Sequence, residues 1–144
     1  MLFLGIDWSE DHHDLVVMAA DGRAMSRARI ADDLAGVGRL HALIADLVVE
    51  TEEPVVVGIE TDRGLLVASL VAAGYEVYAV NPMVASRYRD RHSIAGAKSD
   101  AGDAKMLADL VRTDRHMFRA IAGDSDGVEA TKVLARAHKR LIQD

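Results

Sequence analysis

The chain has 144 residues, half of them hydrophobic, with 17 Lys+Arg against 23 Asp+Glu and a formal charge of −6. This length suits one domain that buries about 68–70% of its unfolded surface, and the composition is too apolar for a disordered chain. The absence of cysteine excludes disulfides, a thiolate zinc site and a cysteine nucleophile, and no apolar run reaches the ~18 residues needed to span a membrane.

Leu2 to Asp7 is a short apolar run ending in an acid, the pattern of a buried strand. It meets a charge too early for a signal peptide, so a cytoplasmic setting is expected. Asp14 to Ala20 is rich in strand formers, and Asp21-Gly22 predicts a two-residue hairpin turn into a third strand, Arg23 to Ile30. Asp32 and Asp33 are candidate caps for a helix with apolar positions at Leu34, Val37, Leu40, Leu43, Ile44, Leu47 and Val48. Pro54 to Glu60 lacks alternation, which predicts a central strand covered on both faces. A short helix over Leu65–Ala73 stops at Gly74, and Tyr75 to Val80 forms a fifth strand. Helices are expected from Pro82 to about Asp90 and from about Asp100 to Arg112, joined by a polar loop over His92–Ser99.

A meander followed by crossovers predicts an α/β fold, a mixed five-stranded sheet with helices on both faces. Right-handed crossovers place the Pro54–Glu60 strand parallel to the first strand, on the side away from the meander. Asp7 and Glu60 then end neighbouring strands at the edge where such sheets bind ligands. Asp100 and Asp103, three apart on a helix, share a face with Cβ atoms about 5–6 Å apart. Hard oxygen donors favour Mg²⁺ or Mn²⁺, and two such ions about 3.5–4 Å apart suit phosphodiester cleavage. Taken singly, each of these acids also suits a cap or a turn.

Gly5-Ile6-Asp7-Trp8-Ser9, Gly58-Ile59-Glu60-Thr61, Val80-Asn81-Pro82 and Lys98-Ser99-Asp100-Ala101-Gly102-Asp103-Ala104 together resemble the amino-terminal domain of DEDD-type insertion-sequence transposases, relatives of the pilin-gene invertase. The resemblance covers about residues 2–115. It implies a ribonuclease-H-like fold of the Holliday-junction-resolvase kind. Asp7, Glu60, Asp100 and Asp103 then take the metal-binding, catalytic positions. It further implies a DNA substrate, a structured guide RNA and a homo-oligomer, a dimer being favoured. Residues 1–115 would form the catalytic domain, 116–127 a linker, and 128–144 the start of a helical connector to a second domain carrying a serine nucleophile, so this stretch is not expected to complete strand exchange by itself.

The charge is uneven. Residues 1–62 hold 13 acids and 4 bases (net −9), whereas residues 63–144 hold 10 acids and 13 bases (net +3). Arg87, Arg89 and Arg91 form a patch expected to hold phosphates, with Tyr88 available to stack on a base, although a solvated helix face has the same pattern; Lys98 and Lys105 flank the acidic pair and are expected to contact phosphate or offset carboxylate repulsion. Lys132, Arg136 and Arg140 repeat every four residues on the last helical pattern. This stripe motivates the alternative reading, a non-catalytic nucleic-acid-binding and dimerisation module. His12 and His13 are expected at the surface, and Trp8 is expected to pack. An actin-like ATP-binding half fits poorly because Trp8-Ser9 replaces a Gly-Thr phosphate turn. A PIN-type ribonuclease would lack the meander.

Overall fold

A computed structural model describes residues 1–48, 53–92 and 100–121, with the side chains of residues 92 and 100–102 excepted. Its strands are β1 (Leu2–Trp8), β2 (His12–Met18), β3 (Ala24–Ala31), β4 (Val55–Ile59) and β5 (Glu76–Ala79). Its helices are α1 (Leu34–Leu47), α2 (Leu65–Ala72), α3 (Pro82–His92) and α4 (Asp100–Asp114), followed by a 3₁₀ turn over Arg115–Met117. The sheet order is β3-β2-β1-β4-β5. The meander is antiparallel, whereas β1–β4 and β4–β5 are parallel. The expected mixed sheet is therefore present, with β4 on the side of β1 away from the meander.

The hairpin differs from the two-residue turn expected at Asp21-Gly22. Ala19 N–H donates to Arg23 O at 2.9 Å and Gly22 N–H to Ala19 O at 3.0 Å, which leaves a three-residue loop. Gly22 takes the left-handed conformation (φ 89°), the geometry of a turn closed by a bulge. Beyond α4, Ile121 N–H donates to Val77 O at 2.8 Å and Tyr78 pairs with Ala120. Residues at the start of the expected linker therefore run along β5. The final helical pattern, with Lys132, Arg136 and Arg140, lies outside the described residues.

Alternation divides the core into two faces. Leu2, Leu4 and Ile6 of β1 pack with Val37, Leu40 and Ile44 of α1 and Leu66, Val67 and Leu70 of α2. Phe3 and Val56 face the other way, against Ala85 and Tyr88 of α3 and Leu107, Leu110 and Val111 of α4. Asp33 caps α1, its carboxylate accepting from Gly36 N–H at 2.7 Å.

Two glycines set how deeply α4 sits. Gly5 and Gly58 are directly paired across β1 and β4. A Cβ on Gly5 would lie 1.9 Å from Ala104 O, and one on Gly58 would lie 2.7 Å from Val111 Cγ1 and 2.8 Å from Leu107 O. Only residues without a side chain let the helix rest on the strand backbones.

Tyr88 does not face solvent as a base-stacking residue would. It is buried, and its hydroxyl donates to Asp109, which also accepts from Arg112 Nη2 at 2.6 Å. Burial first, and then the Asp109 carboxylate, hold the Tyr88 phenol above its ordinary pKa. A raised folded pKa means that this contribution is intact below the ordinary tyrosine range and fades as pH rises through it. Tyr88→Phe is expected to cost about 1–2 kcal/mol at neutral pH. It should also flatten the loss of stability above pH ~10. Urea denaturation across pH measures both.

Candidate metal centre at the carboxyl edge of the sheet

In the parallel β1–β4 register, Gly5 faces Gly58 and Ile6 faces Ile59. The next residues in line are Asp7 and Glu60. Both are half-buried, and alternation points them to the α4 side of the sheet. Because α4 rests on the glycine pair, it delivers Asp103, the residue before Ala104, to the same edge.

Arg89 joins this set. Its Nε donates to Asp103 Oδ1 at 3.0 Å, and its Nη2 lies 3.7 Å from Glu60 Oε1. One guanidinium from α3 thus spans an acid of β4 and an acid of α4, and the three side chains are 21–33% exposed. This differs from the phosphate role expected of Arg89. Arg87 and Arg91 remain exposed, with Arg91 stacked over the Tyr88 ring at 6.0 Å. Lys105 is exposed as well. Lys98 lies outside the described residues, and Asp100 is described by its backbone alone, at the start of α4 one turn before Asp103.

Asp14 was not anticipated from sequence. It sits directly opposite Asp7 on β2, so the two share a face. Arg29 of β3 neutralises it through Nε and Nη2 at 2.8 and 3.2 Å. The signal was available in the antiparallel register, which pairs Asp7 with Asp14 and Asp14 with Arg29.

The other face of this edge corrects two expectations. His13 is 1% exposed rather than at the surface. Its Nδ1 accepts from Ser9 N–H at 3.3 Å, so Nε2 carries the proton donated to Asp32 Oδ1 at 2.9 Å. Adjacent strand residues point to opposite faces, which buries His13 and leaves His12 half-buried. Trp8 packs only in part: its ring is stacked on His13 at 6.0 Å with an interplanar angle of 25°, and the residue stays 43% exposed.

Among the described residues, no three His, Cys, Asp or Glu side chains converge as a ready-made ion cage. The donor chemistry nevertheless fits a divalent ion. Every acid at the edge offers hard oxygens, and Glu60 and Asp103 are close enough to share one cationic group.

Residues 4–144 match the IS110-type DEDD transposase family. The chain belongs to that family. It is 46% identical over 141 residues to a Streptomyces coelicolor protein named as a mini-circle transposase for IS117, covering 98% of this chain and 34% of that protein. It is 33% identical over 121 residues to a Sinorhizobium fredii protein named as transposase y4uE, covering 83% of this chain and 34% of that protein. This transposase-family chain thus spans about a third of the length of the curated relatives it matches. Among solved structures it resembles RuvC of Thermus thermophilus bound to a Holliday junction, with a TM-score of 0.51 and 20% identity over 83% of this chain and 99% of that one. A second structure of Thermus thermophilus RuvC gives the same TM-score at 21% identity. The fold is accordingly the expected ribonuclease-H-like, resolvase-like one. No helix among the described residues is long and apolar enough to cross a membrane.

Proposed function

We propose that this domain binds divalent metal through its carboxylates for the DNA strand cleavage and transfer of an insertion-sequence transposase. The supporting observation is the β1–β4 register, which aligns Asp7 with Glu60 while the glycine pair brings Asp103 to a guanidinium shared with Glu60. Asp7, Glu60 and Asp103, with Asp100 from the first turn of α4, would hold Mg²⁺ or Mn²⁺. An ion bound there supplies Lewis-acid polarisation of phosphodiester oxygens and neutralises developing charge. The chain's own residues do the rest. Asp7 and Glu60 fix the edge at which the phosphate is read, Arg29 keeps Asp14 neutralised, and the exposed Arg87 and Arg91 attract the DNA backbone.

Family membership supports the finer parts of this reading: a structured guide RNA that selects the DNA, a dimeric assembly and action in the cytoplasm. Strand exchange would also draw on a serine supplied by a further domain. Electrophoretic binding to branched DNA, repeated with and without Mg²⁺, tests the reading. Metal-dependent binding supports it, whereas DNA binding with no metal uptake would favour the non-catalytic binding module.

Arg89 makes a separate prediction. While it bridges Glu60 and Asp103 it competes with any other cation for the same oxygens. Arg89→Ala is expected to tighten Mg²⁺ binding roughly fivefold, since a partly exposed ion pair is worth on the order of 1 kcal/mol. It should also lower the melting temperature in EDTA. Differential scanning calorimetry with and without Mg²⁺ reads both effects.

A further inference from the structure

Trp8 lies one residue beyond Asp7, on the opposite face of β1, and is 43% exposed. Its backing is fixed. The ring lies on His13, and His13 is held by Ser9 N–H on one nitrogen and by Asp32 on the other. The indole is therefore a braced aromatic plate rather than a loose side chain.

Exposed apolar residues lie along the same edge. β3 runs parallel to β1, because each is antiparallel to β2, so β1, β3, β4 and β5 all end at this edge. Leu34 opens α1 just after β3 and is 76% exposed, and Leu65 opens α2 after β4 and is 53% exposed. Both helices cover the face to which Trp8 points, whereas the acids point to the α4 face. The edge is thus two-sided, with Asp7, Glu60 and Asp103 on the α4 side and the exposed indole, Leu34 and Leu65 on the other, where Asp32 braces His13. Arg63, also exposed, follows β4 at the same edge.

A nucleotide is two-sided in the same way, with a charged phosphate and a flat apolar base. We propose that Trp8 stacks on an unpaired base of the DNA strand whose phosphate lies at the acid set. This rests on the DNA-cleaving reading and adds the requirement for an unstacked base beside the cleavage point. Stacking suits it because every base presents a π-face and the plate makes no sequence-specific hydrogen bond.

Trp8 is the chain's single tryptophan, so its fluorescence reports on this contact without labelling. The whole chain is titrated in Ca²⁺, a hard divalent ion for the same oxygen donors, with a fluorescein-tagged oligothymidine and with a strand of equal charge whose nucleotides are abasic. Binding is followed by anisotropy in parallel with untagged strands for the indole signal. The expected result is strong quenching by the thymidine strand and little by the abasic one. Trp8→Ala should weaken thymidine binding about tenfold, within the range for loss of one aromatic–base stack, and Trp8→Phe should recover most of it. Thymidine binding with no quenching, or with equal affinity in Trp8→Ala, would overturn the stacking inference and leave the cleavage reading standing. Failure to bind any DNA, branched DNA included, would overturn both.

Discussion

Gly5→Ala is expected to be among the most damaging single substitutions in this chain, lowering stability by about 3 kcal/mol or more. The added methyl would lie 1.9 Å from Ala104 O and 2.5 Å from Ala108 N. Both are backbone atoms of α4, so no side chain can swing aside; the helix itself must lift. With a typical domain stable by only about 5–15 kcal/mol, that loss is a large fraction of the total. Gly58→Ala should be milder, because one of its close neighbours is the Val111 side chain. Lifting α4 would also withdraw Asp103 from the strand acids, so Mg²⁺ affinity should fall together with stability. Denaturant melts combined with a metal titration check both.

The second large effect belongs to Asp7. Asp7→Asn keeps the size of the side chain and removes its charge. In a protein that also carries the serine-bearing domain, strand cleavage of branched DNA in Mg²⁺ is expected to fall about a thousandfold, as befits loss of several kcal/mol of metal-dependent catalysis. The fold should survive. Asn keeps the shape and hydrogen-bonding capacity of the side chain, so the melting temperature in EDTA should change by no more than a few degrees. A variant that lost both activity and stability would point instead to a structural role for Asp7. Gel-resolved cleavage rates and calorimetry on the same preparations separate the two outcomes.

Much of this architecture was legible because the patterns have simple causes. The unbroken apolar run from Val55 to Ile59 could only be a strand covered on both faces, and all five of its residues are buried. The two Gly-x-acid segments, Gly5-Ile6-Asp7 and Gly58-Ile59-Glu60, announced their pairing, and the parallel register follows from the crossover rule. What the spacing alone did not reveal is why the glycines stand there. That reason appears only once a helix 46 residues downstream of Gly58, at Ala104, is seen lying on the sheet.

In the arginine patch, spacing along the chain and packing in the fold carry different information. Residues two apart on a helix are about 200° apart around its axis, so Arg89 cannot share a direction with Arg87, whereas Arg91 nearly does. Helical geometry therefore separates the middle arginine from its neighbours, but only the packing of α3 against α4 says that it meets Glu60 and Asp103. Tyr88 follows the same rule, turning inward to Asp109. His13, and Trp8 in part, depart from their expected placing for a related reason: a strand end is half edge and half face. Register pairs the two residues, and depth then buries one and exposes the other.

The central claim is that Asp7, Glu60 and Asp103 belong to one divalent-ion site. The most direct measurement is calorimetric titration of Mg²⁺ into the wild-type chain, Asp7→Ala and Asp103→Ala, each confirmed as folded by circular dichroism. Saturable binding to wild type that is lost or greatly weakened in both variants is the predicted result. Equal Mg²⁺ binding by all three proteins would contradict the account.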